Sequence, residues 1–328
     1  MPGIADRFAG ALVGLGAATS VLVAYLLTLA PGVVWAGAGI DSGDLAAAVA
    51  VGGVPHPTGY PTLMLLGLAV RAIPLGDLAL RLNVLTALAA AGSLIPLGLL
   101  AARLRRTRGA TMHLAEAASG AVVLALYGLA PLVWSNAIVT EVYALASLCL
   151  WSAMYAAARA RAAATAKGGT RWAAAAGILL GLGTGAHVTV MLGAPALAVV
   201  LLSDGWRRRT AWRLAAPAAA GVAAGCTVYI YLPIAASLDP PITWGDPTTL
   251  ERLWSVVSGE IYRSRLGGSD VGVTAAKAAW LLGEPVRQLT WLLLPLLALG
   301  GLSLTRRHPR TLLATGWIAI SALAVGTI

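Results

Sequence analysis

Nine apolar stretches, at about 9–35, 80–101, 117–134, 139–158, 172–186, 188–203, 214–234, 286–304 and 311–328, dominate this chain. Most approach the roughly 20 residues a helix needs to cross a bilayer. Few other structures can absorb so many of them, because a soluble core of this size cannot hide that much apolar surface. Hydrophobic residues make up 59% of the 328 residues and charged ones only 11%. Soluble domains carry roughly a quarter charged residues, which excludes an ordinary soluble fold. The expectation is an all-α polytopic membrane protein, a single integral domain over 1–328 with about nine transmembrane helices. The last apolar run ends at Ile328, so truncation at the C-terminus is part of that expectation.

The fifth and sixth runs are short and read as a tight hairpin meeting at Gly183-Thr184-Gly185-Ala186-His187. The stretch 60–75 is interrupted by Arg71 and Pro74 and reads as a helix lying at the interface. Alternating the sides of nine spans puts 16 of the 23 basic residues and three of the 13 acids on one face. The positive-inside rule then places the N-terminus in the cytoplasm. Two larger loops, 36–79 and 235–285, fall on the outer face. The net charge of +10 sits in short runs between apolar segments, which is a topology pattern and not a nucleic-acid surface. Cys149 and Cys226 lie inside apolar runs and imply no disulfide framework.

The scarce acids then become informative. Asp41-Ser42-Gly43-Asp44 opens the first outer loop, followed by Val54-Pro55-His56-Pro57-Thr58-Gly59-Tyr60-Pro61. Asp41 and Asp44 are spaced as a capping box, which would explain both without chemistry. The same helix start could instead aim one carboxylate into a cleft to take a proton from a hydroxyl. Two prolines stiffen the turn around His56. That residue is either a solvated connector or a contact to a phosphate or acceptor. Glu141 occupies the outer turn Trp134 to Tyr143, where an acid should face a cavity or a partner and not lipid. Its bland reading is a helix-start acid favoured by the dipole. His187 ends a glycine-rich break of the kind found around cavities, or is incidental to close packing.

In the second loop, Trp244-Gly245-Asp246-Pro247 reads as a turn with Asp246 as N-cap and Pro247 at the first helical position. That helix is expected to carry Glu251, Arg252 and Trp254, with Tyr262 and Arg263 near its end. Trp244 is a belt residue or a wall of a sugar site. Arg252, Arg263 and Arg265 offer guanidinium groups to a lipid phosphate. The chain has no Lys-Ser/Thr phosphate loop, no CxxC and no HExxH. A nucleotide-driven pump and a zinc protease are disfavoured. The residues single out no cofactor, and a divalent metal on Asp41, Asp44 and His56 stays open.

Through Asp41 to Asp44 and Pro55 to Pro61, the chain resembles the domain-of-unknown-function 2723 family, grouped with GT-C membrane glycosyltransferases and similar to protein O-mannosyltransferases. Thr140-Glu141-Val142-Tyr143, Gly181 to His187, and Tyr231-Leu232-Pro233 through Trp244-Gly245-Asp246-Pro247 to Ile261-Tyr262-Arg263 follow in order. The resemblance implies a GT-C-like bundle and transfer from a polyprenyl-phosphate-linked sugar, drawn from membrane lipid, to a hydroxyl on a protein or glycan. It makes Asp41 the catalytic-loop acid, puts Asp44 where a Glu is commoner, places His56 in the turn of the family pattern, with Tyr60 of the same motif a candidate for substrate or phosphate, and sets His187 in the hairpin facing the donor phosphate. Members are commonly longer than this chain. Two other readings keep the same residues: a transporter or lipid flippase whose outer acids bind protons, and a non-catalytic membrane scaffold.

Overall fold

The computed structural model describes residues 4–34, 41–106, 114–202 and 209–262, with isolated helical positions 276, 279, 280, 283 and 287. Twelve α-helices are described: α1 Ile4–Leu27, α2 Ser42–Val51, α3 Pro61–Arg71, α4 Leu78–Arg106, α5 Leu114–Gly128, α6 Pro131–Ala137, α7 Tyr143–Arg161, α8 Ala166–Ala186, α9 Ala194–Leu201, α10 Arg209–Cys226, α11 Tyr231–Ser237 and α12 Leu250–Ser258. Short 3-10 turns precede α9 and α11 and follow α12. Among the described residues the only β pairing is an isolated parallel bridge between Val54 and Thr243.

Long helices α1, α4, α7, α8 and α10 pack in a row, α4 against α1 and α7, and α8 between α7 and α10. The α8–α10 contact runs on glycine. Gly177 and Gly181 on α8 face Gly221 and Gly225 on α10, so each helix carries a G-x-x-x-G. A Cβ on Gly177 would lie 1.9 Å from the Ala218 carbonyl oxygen, and one on Gly221 2.3 Å from that of Ala174. Only hydrogen fits there, so the two backbones touch directly, as in small-residue membrane interfaces.

Two helical stretches, Leu78–Ala101 and Trp212–Ser237, are long and apolar enough to cross a membrane. Gly120–Gly128 with Pro131–Ala137 adds a third as a broken span, bent by 62° where Pro131 prevents the helix from continuing. Nine spans are thus not counted among the described residues. The stretch Val188–Leu201 is 14 residues of 3-10 turn and short helix, below spanning length. Runs 286–304 and 311–328 lie outside the described residues. The expected hairpin turns at the far end of that range: α8 runs through Ala186, His187 is extended, and the chain returns so that Val190 lies against Gly183 and Gly193 near Leu180.

Between α1 and α4 the described chain folds as two short helices, α2 and α3. Gly52, at φ +69°, closes α2, and the Arg71 guanidinium donates to the Val49 and Ala50 carbonyls at its end. Gly59 and Tyr60, both at positive φ, turn the chain into Pro61 at the start of α3. Thr62 Oγ1 then donates to the Leu182 carbonyl at 2.6 Å, tying α3 to α8. A buried polar net ties the other side. Asn83 of α4 donates to the Ala30 and Gly32 carbonyls at 2.9 and 3.1 Å and accepts from Thr140 Oγ1 at 2.6 Å. One amide thereby fixes the chain that leaves α1 and the turn that carries Glu141, with every partner satisfied.

Candidate active site

Asp41, Asp44, His56, Tyr60, Glu141 and His187 come together, although they are spread over 147 positions of the chain. The capping box does not form. Asp41 stands at the N-cap of α2 without a side-chain cap bond, because its backbone is already in the αR region. Asp44 does not reach back either. Its Oδ2 accepts from the His56 backbone N–H at 2.9 Å and lies 2.7 Å from His56 Nδ1, and its Oδ1 accepts from the Trp244 indole N–H at 3.0 Å. His56 Nε2 is 2.9 Å from the Tyr60 hydroxyl and 3.7 Å from Asp41 Oδ2. The Tyr60 hydroxyl also donates to the Pro57 carbonyl at 3.2 Å.

Exposure separates the two aspartates. The Asp41 side chain is 46% exposed, Asp44 25% and His56 13%. Burial opposes charge on both Asp44 and His56, but their mutual bonds outweigh it. The bonds from His56 and Trp244 hold Asp44 below its usual carboxylate value. The bond to Asp44 and the fields of Asp41, Asp44 and Glu141 raise His56 above its usual value. Asp41 is therefore the acid of the pair that faces solvent, its side chain without a hydrogen-bonded partner among the described residues.

Behind them lies an aromatic wall. The Tyr60 ring stacks on His187 at 6.0 Å between centroids, and Tyr143 tilts against the other ring at 5.2 Å. Burial, and then the charge of His56, push His187 down to about 4, so it is neutral. Its Nδ1 accepts from the Thr189 backbone N–H and meets Thr189 Oγ1 at 2.6 Å, which leaves the ring proton on Nε2 as a donor. Tyr143, half exposed, was not among the sequence candidates. Its place directly after Glu141 at the start of α7 was the available signal.

Glu141 is 2% exposed and its Oε2 has no hydrogen-bond partner among the described residues. Burial, then the charge of Asp41, push its pKa up to about 7. It is not a helix-start acid on the surface. Its folded-state value lies above the unfolded 4.5, so the native chain binds the proton longer. Stability is then full below about pH 4.5 and declines as pH rises through 7, by roughly 3 kcal/mol. Glu141→Gln removes that decline. Thermal melts in detergent should show the variant above wild type at pH 8, with the gap closing near pH 4.

The second loop contributes one side chain to the cluster. Trp244 is brought in by two bonds of the bridge, Val54 N–H to Ile242 carbonyl at 2.9 Å and Trp244 N–H to Val54 carbonyl at 3.0 Å. Gly53 makes that approach possible, since a Cβ there would meet the Ile242 carbonyl oxygen at 2.1 Å. Asp246 is not a helix cap. It sits at φ +39° and its carboxylate pairs with Arg252. Thr249 caps α12, accepting from the Arg252 N–H at 3.3 Å, and Gly259 ends the helix before Tyr262, which lies in the 3-10 turn beyond. A threonine one residue before the apolar stripe outcompetes an Asp in a Gly-Asp-Pro turn as the cap. Arg252 is thus engaged on the surface, and Arg263 and Arg265 lie outside the described residues. No three His, Cys, Asp or Glu side chains among the described residues are grouped to hold a metal ion.

A mostly helical chain with helices long and apolar enough to cross a membrane, and with an acid-histidine cluster at the ends of its helices, is of the class of membrane proteins with a candidate active site. Residues 41–210 match the family described as the protein O-mannosyl-transferase TMEM260 N-terminal domain. That is just over half of the chain, which belongs to this family. The match opens at Asp41 and includes every cluster residue except Trp244. The chain is 30% identical over 241 residues to the mouse protein named protein O-mannosyl-transferase TMEM260, covering 71% of this chain and 33% of that protein. It spans about a third of the length of that relative. No solved structure matches.

Proposed function

We propose that this chain is the membrane-embedded catalytic part of a glycosyltransferase, moving a sugar from a polyprenyl-phosphate donor to a protein hydroxyl on the non-cytoplasmic face. The observation that carries this reading is Asp41: a half-exposed carboxylate, released from any capping duty, at the mouth of a cluster whose other groups are bonded to one another or buried. The activity in the printed name of the mouse relative, and the fold kinship with GT-C enzymes implied by the sequence resemblance, support the reaction type.

In this reading Asp41 accepts the proton of the acceptor hydroxyl as its oxygen attacks the anomeric carbon. The carbon–oxygen bond to the lipid phosphate breaks on the opposite face, so the configuration inverts. Neutral His187 donates from Nε2 toward the phosphate oxygens as their charge develops. Tyr143 and Trp244, both half exposed, give apolar ring surface to a sugar. The surface pair Arg252–Asp246 is outside this chemistry, and Arg263 remains a candidate for the phosphate.

The test is to give the chain, in detergent or nanodiscs, polyprenyl-phosphate mannose and a Ser/Thr peptide, and to measure polyprenyl phosphate released and sugar transferred. Transfer that requires both substrates is the expected result. Donor binding without turnover would point to the scaffold reading, and failure to bind the donor would overturn the glycosyltransferase reading altogether.

A further inference from the structure

Two aspartates three residues apart on one short helix invite equal roles, but their surroundings differ. Asp44 is held by three donors from two loops: the His56 backbone, the His56 ring and the Trp244 indole. A carboxylate with both oxygens so occupied has little left to offer a substrate. His56, once its Nδ1 is bound to Asp44, has one remaining nitrogen, and that nitrogen lies between the Tyr60 hydroxyl and Asp41. Tyr60 can accept there because its own proton goes to the Pro57 carbonyl. The hydrogen bonds are mutually consistent when the ring is protonated on both nitrogens.

We propose that Asp44 acts through His56 and not on substrate: it keeps His56 as the cation of the site, and that cation, 3.7 Å from Asp41 Oδ2, holds the Asp41 carboxylate in place for the acceptor. Asp44 and His56 are positioning residues, and Asp41 alone meets the reacting hydroxyl. The inference rests on the reaction proposed above for Asp41, but its physical core, the clamp, does not need turnover to be tested.

The groups that face His56 are Asp41 and Asp44 from the start of α2, Tyr60 from the turn before α3, Glu141 from the turn before α7, and His187 from the end of α8. Three acids and a neutral histidine surround one imidazole. The acids favour the imidazolium, and Asp44 is the only one in direct hydrogen bond with it. The imidazolium exists below its own pKa and is lost above it. Activity that depends on it falls on the alkaline side, and weakening the clamp moves that fall to lower pH.

The experiment uses the full chain in nanodiscs with ring-15N-labelled histidine, the His56 signal being assigned by its loss in His56→Gln. The His56 midpoint should fall by about one pH unit or more in Asp44→Asn, and fall less in Asp41→Asn, whose carboxylate is farther away. The alkaline limb of kcat/KM for sugar transfer should move to lower pH by the same interval in Asp44→Asn, with KM for the donor unchanged. An unmoved midpoint in Asp44→Asn overturns the clamp. A lowered midpoint with an unmoved alkaline limb overturns its role in catalysis. If wild type transfers no sugar, the proposed reaction fails, while the midpoints in the two variants still decide whether Asp44 sets the charge of His56 and whether that charge faces Asp41.

Discussion

Asp41→Asn should reduce sugar transfer by about 10²–10⁴-fold while leaving donor binding close to wild type. The substitution is nearly isosteric and removes only the proton acceptor. Because Asp41 makes no capping bond, the helix start should not suffer for its loss. The electrostatic consequences give a check that is independent of turnover. The charge of Asp41 is the second cause, after burial, of the raised Glu141 value, and it also raises His56. In Asp41→Asn both midpoints should therefore fall. Measured kcat within threefold of wild type would remove Asp41 from the reaction. Loss of kcat together with unshifted midpoints would mean that the variant had disturbed the loop instead of the charge.

The largest structural effect is expected at the α8–α10 contact. Gly221→Val places branched carbon where the Ala174 carbonyl lies 2.3 Å from the Cβ alone, with Ile178 N at 2.9 Å. Neither obstacle is a flexible side chain, so the helices must separate. Overpacking of a tight core costs about 1–3 kcal/mol, and displacement of two backbones belongs at or beyond the top of that range. Separation also loosens the site, since α8 ends at His187 and its Leu182 and Thr184 carbonyls hold Thr62 and the Tyr229 hydroxyl. A fall in melting temperature of several degrees in detergent should accompany loss of transfer. Gly16→Val, with nothing within 4 Å of its Cβ, is the control that should leave the melt unchanged.

Much of the cluster was legible because a charged or ring-nitrogen group is conspicuous in so apolar a chain. Asp41, Asp44, His56, Glu141 and His187 could each be picked out by rarity and position alone. What could not be read was which of them bond to which. The assignment of Asp44 to His56 depends on a turn geometry set by Tyr60 at positive φ, a conformation no residue pattern announced. Tyr143 bears no charge, and in a chain with 11 Trp and 8 Tyr rarity does not mark it. Asn83 was hidden differently: one amide within a long apolar helix looks like an interruption until its three partners are known.

The helices were easier to foresee than their ends. Apolar runs marked α4 and α7 well, while the run 214–234 ran past the end of α10 at Cys226 into α11. Boundaries failed where a small group dictated the outcome. Pro131 broke one expected span, and Thr249 took the cap that Asp246 was expected to supply. The close approach of α8 to α10 depends on two glycine pairs, which a hydropathy reading treats merely as neutral spacers.

The bond between the Trp244 indole and Asp44 joins residues 200 positions apart. At a synthesis rate of about 5–20 residues per second, Asp44 leaves the ribosome some 10–40 seconds before its indole partner exists. During that interval the first loop can fold its two helices, but the acid at position 44 lacks its third donor and the bridge from Val54 has no strand to meet. A nascent chain stalled in mid-insertion therefore carries an unfinished site. The first-loop bonds among Asp44, His56 and Tyr60 can thus precede the Trp244 bond, which can form only after most of the described helices have been made.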